Sequence, residues 1–254
     1  MRNTGRIIVL NYHLLSHYAH ARSENGQFNV SSAVFLRQLS AIKEKHVPVV
    51  SLDALISGNL AEQFGLILTF DDGYRSDFHI AYPALRELNF TAAFFPVVND
   101  IGKNGFVTRN QLSEIADNNF TIGSHGLSHS LLTRLPRTEQ RHELQCSKAI
   151  IEQTVGKTVS HFALPYGWYN KAIVQLAKEA GYKALMTTTL KVNVPDRQPF
   201  VVHRWNIRHN TSQQRFGRML ETHGYISPLA RCAIAFKQYV KAILGRPNLF
   251  RVNF

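Results

Sequence analysis

Along most of the chain, short apolar runs alternate with stretches whose apolar residues recur every three to four positions. The runs at 7–11, 47–51, 66–70, 92–97, 121–123, 161–164, 184–187 and 200–203 have the length and composition of strands. Residues 66–70, Leu-Ile-Leu-Thr-Phe, read as a strand covered on both faces. Between the runs, 31–45 opens on a serine able to cap a helix and sets Val34, Leu39 and Ile42 on one side. Helical patterns follow at 76–88, where Asp77 is expected on the helix surface one turn past the 71–72 acids, and at 108–117 and 137–155, and 170–180 runs from an Asn cap to Gly181. This alternation predicts an α/β fold with a mostly parallel sheet, open or closed into a barrel. Without a linker or internal repeat, residues 1–210 are expected to form one domain, and 211–254 a basic helical tail. A helix over 228–244 would gather Leu229, Ala233, Phe236, Tyr239, Val240, Ile243 and Leu244 in one stripe, with Arg231, Lys237 and Lys241 outside it. Such a helix either packs on the domain or lies on an anionic membrane surface.

Parallel α/β folds bind ligands at the C-terminal ends of their strands, so those ends are where chemistry is expected. The first carries Tyr12 and His13, and the 66–70 strand ends in Asp71 and Asp72. "SHGLSH", with His125 and His129, follows 121–123, and Pro165-Tyr166-Gly167 follows 161–164. Two adjacent carboxylates at the end of a buried strand repel each other and lose hydration, so both stay ionised only beside a positive charge. His125 and His129, four apart, would share one side of a helical turn. With Asp72 they make a two-histidine, one-carboxylate set for a divalent ion with open positions; the donors alone do not identify the ion, and Zn2+ is expected ahead of Co2+, Ni2+, Mn2+ or Fe2+. An ion there leaves Asp71 free as base for a water attacking a carbonyl carbon. A backbone N–H of the 165–167 turn would serve the oxyanion, and His13 would protonate a leaving amine.

Composition narrows the setting. A chain of 254 residues, 44% hydrophobic, can bury one large core, and no apolar run approaches the roughly 18 residues of a membrane span. The N-terminal run is broken by Asn11, Tyr12 and His13 and lacks a small-residue cleavage site. The chain is therefore expected in the cytoplasm, peripherally at the inner membrane face, with Cys146 and Cys232 as reduced thiols. The net charge of +12 is uneven: residues 197–254 hold ten Lys and Arg against one acid, Glu221. That tail suits an anionic membrane or a lipid-linked glycan, or is simply a solvated face. No nucleic-acid reader motif accompanies it, so nucleic acid is not expected.

"TFDDG", "SHGLSH" and "FALPYG", in this order, resemble the motifs of polysaccharide deacetylases of the NodB-homology group, carbohydrate esterase family 4, over roughly residues 6–209. The resemblance implies a distorted (β/α) barrel of about seven parallel strands, here with a C-terminal helical extension. It also implies a metal-dependent hydrolase, acting on C–N bonds other than peptide bonds, that removes acetyl groups from N-acetylated sugars of a polysaccharide or glycan precursor. Matched by position, Asp71 is the base, Asp72, His125 and His129 are the metal ligands, and Tyr166 lends its backbone amide to the oxyanion. Pro165, Tyr166, Gly167, Trp168 and Arg204 form the expected substrate-binding set, with Trp168 and Tyr169 suited to stacking on a sugar ring. Two departures stand out. Ala163 occupies the place of an arginine that braces the base, and Arg204 in "VVHRW" is the substitute brace. The late Leu-x-His motif that supplies the acid is missing, while "VLNYHLL" resembles the subgroup with an N-terminal Tyr-His, such as poly-N-acetylglucosamine deacetylases. His13 is then the acid and His203 its competitor. The alternative is a catalytically idle carbohydrate-binding or scaffolding protein on the same fold.

Overall fold

The computed structural model describes residues 5–17, 26–60, 64–194 and 199–221. Its strands are β1 (Arg6–Tyr12), β2 (Leu15–Ser16), β3 (Val30–Ser31), β4 (Phe64–Asp72), β5 (Ala93–Pro96), β6 (Thr121–Ile122), β7 (His161–Ala163), β8 (Ala184–Met186), β9 (Val201–Val202) and β10 (Arg204–Asn206). Between and after them lie α1 (Ser32–Glu44), α2 (Leu52–Ser57), α3 (Tyr82–Glu87), α4 (Arg109–Asp117), α5 (Arg137–Val155), α6 (Lys171–Glu179) and α7 (Gln213–Glu221).

One sheet runs β10-β1-β4-β5-β6 and another β7-β8-β9, all parallel. A parallel bridge between Ser124 and Phe162 joins β6 to β7. On the other side β9 and β10 are one strand interrupted at His203, pairing first with β8 and then with β1. Seven parallel strands therefore circle the core, a distorted (β/α) barrel. The seam at His203 is sealed by Asn193, whose carboxamide accepts the His203 N–H and donates to the His203 carbonyl, both at 2.9 Å. Ile7, Val9, Ile67, Ala93, Phe95, Ala163, Met186 and Val202 fill the interior.

The helices begin and end where side chains can satisfy their free backbone groups. Ser31, Thr108 and Asn170 each accept an N–H of the first turn, and Gln111 completes a capping box with Thr108. Three expectations need correction. Residues 47–51 give only a bridge, Val49 to Leu66, because α2 starts at Leu52. The 76–88 helix is a π-helical turn, Asp77–Ala81, followed by α3. Asp77, expected on a helix surface, is 1% exposed and neither carboxylate oxygen has a hydrogen-bond partner.

α7, the start of the expected tail, buries Phe216 and Leu220 and packs along α1. The 228–244 helix lies outside the described residues. Among the described residues no helix is long and apolar enough to cross a membrane.

Candidate active site

β4 delivers both acids to one end of the barrel, but in different states. Asp71 continues the strand and is 2% exposed. Arg204 holds it in a two-pronged grip, Nη1 to Oδ1 and Nη2 to Oδ2, both at 2.7 Å. Asn11 adds a third bond to Oδ2 at 2.9 Å. Arg204 is wholly buried, and its remaining donors go to Asn11 Oδ1 (2.9 Å) and the Thr187 carbonyl (3.1 Å). Burial alone would raise the Asp71 pKa, but the Arg204 charge and hydrogen bonds hold it well below the usual carboxylate range. The brace thus comes from β10 rather than from β7, where Ala163 contributes only to the core. With its donors committed and no exposed surface, Arg204 is not a substrate-contacting residue as grouped above.

Asp72 breaks from the strand with φ +76, followed by Gly73 at +76, so its carboxylate turns away from Asp71's brace. Burial and then the Asp71 charge push its pKa up to about 7. Its Oδ1 lies 3.5 Å from His125 Nε2 and 3.4 Å from His129 Nε2, long for hydrogen bonds. The three donors lie within 4.8 Å of one another and surround a common point.

The histidines do not share a helical turn, as their spacing had suggested. Residues 123–130 form an irregular loop, because Gly126 takes φ +83 and His129 φ +57. A side chain at Gly126 would also meet Glu143 Oε2 at 2.9 Å, so glycine is required on both counts. Glu143, from α5, accepts the Leu127 N–H at 2.7 Å and the Ser128 hydroxyl, while Ser147 accepts from Ser124 at 2.8 Å. His125 Nδ1 faces the Ala163 carbonyl at 2.8 Å, which makes that nitrogen the protonated one and turns Nε2 toward Asp72. Burial lowers His125 to about 3 and also lowers His129, so both are neutral donors at physiological pH.

His13 follows β1, half-buried, with its ring stacked on Phe28 at 4.6 Å. Its Nδ1 is buried without a partner. Burial lowers its pKa to about 4; Asp71 pulls it up, while Arg204, His129 and Arg208 push it down. It therefore shares the field of the acidic pair. His203 does not: its Nδ1 faces Thr187 Oγ1 at 3.4 Å, and the one charge acting on it is Lys191.

The Pro165–Gly167 turn sets Tyr166 at φ +62 and half exposes its ring, 5.0 Å from the His129 ring. Gly167 is held against Thr188, where any side chain would clash at 2.2 Å. Trp168 is half-buried and Tyr169 exposed beside it. Three non-glycine residues of the site, Asp72, His129 and Tyr166, thus occupy the left-handed region, a cost that structures bear mostly at functional sites. Asn11, Glu143 and Ser147 had not been expected in the site's support. For Asn11 the signal was present, as a polar residue inside an apolar strand.

Against known proteins, the polysaccharide deacetylase family model matches residues 61–185. The chain is 28% identical to Bacillus subtilis YxkH over 157 residues, 62% of this chain, and spans 56% of that protein's length. It is 20% identical to a Staphylococcus aureus poly-β-1,6-N-acetyl-D-glucosamine N-deacetylase over 78% of this chain and 77% of that one. The structure of Streptococcus pyogenes deacetylase PplD superposes with a TM-score of 0.77 at 22% identity, covering 85% of this chain and 99% of PplD, which places the two in one fold. Fold and ordered motifs agree with the family match: over residues 61–185 the chain carries a polysaccharide deacetylase domain of the NodB-homology group, carbohydrate esterase family 4.

Proposed function

We propose that this protein is a metal-dependent hydrolase that removes acetyl groups from N-acetylated sugars of a glycan. The observation that carries the reading is the division of labour between Asp71 and Asp72: one saturated by arginine, the other facing two neutral histidines. Asp72, His125 and His129 suit a divalent ion of zinc type, because one oxygen and two imidazole nitrogens converge at distances too long to bond each other. The ion, when bound, supplies Lewis acidity to the acetyl oxygen and acidifies a water.

The remaining work falls to the chain's own groups. Asp71, ionised at any physiological pH and fixed in orientation, accepts the proton of the water that adds to the carbonyl carbon. In the 165–167 turn, Pro165 has no N–H and that of Gly167 is spent on the Leu164 carbonyl at 2.8 Å. The Tyr166 N–H is therefore the amide for the oxyanion. The proton that Asp71 took from the water passes through solvent to His13, neutral in the resting site, as negative charge builds in front of it, and His13 hands it to the departing sugar amine. Trp168 and Tyr169 offer ring faces to the sugar. A binding module would have no use for a rigidly braced, ionised carboxylate beside a cation site.

The relatives' names support an N-acetylglucosamine polymer as the substrate class. We place the enzyme in the cytoplasm at the inner membrane face, a location supported by the basic C-terminal segment. Acetate release from N-acetylglucosamine oligomers tests the activity. It should occur, stop with a chelator and return with added zinc; release unaffected by chelation would remove the ion from the account. His13→Ala should lower turnover about 100-fold or more with ion content unchanged, and His203→Ala should leave turnover within a few-fold of wild type.

A further inference from the structure

Residues just beyond β10 carry a feature that the deacetylation chemistry leaves unused. β10 runs beside β1 in the register Asn11 to Asn206, and the Ile207 N–H continues the ladder to the Asn11 carbonyl at 2.8 Å. His13 and Arg208 consequently leave the barrel side by side at the catalytic end. Phe28 fills the gap between them: its ring stacks on His13 at 4.6 Å, and the Arg208 guanidinium lies 5.4 Å from its centroid. The backbone is fixed as firmly. The Arg208 N–H donates to Thr211 Oγ1 at 3.0 Å and the Thr211 N–H returns to the Arg208 carbonyl at 2.9 Å. The His209 N–H reaches across to the Gln27 carbonyl at 3.1 Å, tying this turn to the one that carries Phe28.

Among the described residues, Arg208 has neither a carboxylate partner nor a side-chain hydrogen bond. In a chain with 29 Lys and Arg against 17 acids, a lone cation would mean little by itself. This one is held over an aromatic ring beside the proposed acid. Partial burial and the like charge of Arg215 both push Arg208 toward losing its proton, as befits a cation without a counter-ion. Arg208 is exposed to solvent, and a guanidinium seated on a ring gives up less conformational freedom on binding than a free one.

Resting on the deacetylase reading, we propose that Arg208, seated on Phe28, is an anion subsite at the rim of the catalytic centre. The glycan accepted then carries an oxyanion, a phosphate ester or a uronate carboxylate, close to the N-acetyl sugar that is hydrolysed.

The test compares three probes bound to the ion-loaded protein: methyl N-acetylglucosaminide, N-acetylglucosamine 1-phosphate and an N-acetylglucosamine–glucuronate disaccharide. Dissociation constants come from ligand-observed NMR. At least one anionic probe should bind about tenfold tighter than the neutral one, and whichever does so identifies the anion. Arg208→Gln should erase that preference, and Arg208→Lys should keep part of it. Equal binding of all three probes by the wild type, or a preference that survives in Arg208→Gln, would overturn the proposal. Acetate release from N-acetylglucosamine oligomers is scored separately. No acetate with a surviving Arg208-dependent preference sinks the deacetylase reading and leaves the anion site standing. Acetate release without that preference does the reverse.

Discussion

The barrel pairs histidine with aspartate at both ends, and the two pairings differ in the spacing of their atoms. At the N-terminal end of the strands, His161 Nε2 meets Asp53 Oδ1 at 2.8 Å, and the Thr121 hydroxyl donates to Asp53 Oδ2 at 2.8 Å. The His161 hydrogen bond holds the Asp53 carboxyl below the usual range, so the two groups bond each other directly, although His161 Nδ1 is buried without a partner. It clasps α2 to the starts of β6 and β7. At the other end Asp72 faces two imidazoles at 3.4 and 3.5 Å and is not lowered but raised. The Asp53 pair closes to hydrogen-bond distance; the Asp72 group is held apart by its supports, here Glu143, Ser147 and the Ala163 carbonyl, as the proposed ligand set requires. Residue type does not separate the two ends. Distance does.

The comparison breaks most visibly at the metal. His125→Ala should lose most of the bound ion, because two remaining protein donors do not hold zinc against solvent. His161→Ala should keep the ion and instead lower unfolding stability by about 1–3 kcal/mol. Elemental analysis with denaturant titration separates them, and equal ion loss in both would erase the distinction. A second break concerns the brace. Arg204→Met strands a buried carboxylate and should cost about 3–5 kcal/mol. The sign with pH follows from Asp71: its lowered folded pKa contributes stability above the unfolded value of about 3.9, lost as pH falls below it. Without Arg204, burial raises the Asp71 pKa instead, so the deficit of Arg204→Met against wild type should be largest at pH 7 and shrink as pH falls, further still below about pH 4, in thermal melts across pH. The third test sharpens the account of Asp72. A proton competes with the ion for a carboxylate that titrates near 7. Ion affinity should be flat above pH 7 and fall about tenfold per unit below it, by competition titration.

Much of this was legible in the sequence, because the strongest signals were local. Ser31 and Asn170 marked helix starts by the chemistry of their side chains, and the apolar run before Asp71 marked a strand end. The set of Asp72, His125 and His129 was found from spacing, although the reason offered, a shared helical turn, was not the one the chain uses. Pairings over long separations were less visible. Arg204 lies 133 positions from Asp71, and in a basic chain nothing local separates a wholly buried arginine from a surface one. Asp77 illustrates the same limit, since its distance from the acidic motif suggested an exposed helix face while the π-helical turn rotates it inward.

The central claim is that two adjacent carboxylates on one strand do different work. Asp71→Asn and Asp72→Asn, each assayed for ion content and for acetate release from N-acetylglucosamine oligomers, test it most directly. The account predicts that Asp71→Asn keeps the ion near one equivalent yet loses about 10²–10⁴ in rate, since an amide cannot accept the proton of the attacking water. Asp72→Asn should lose both. Near-normal turnover in Asp71→Asn, or a full complement of ion in Asp72→Asn, would contradict it.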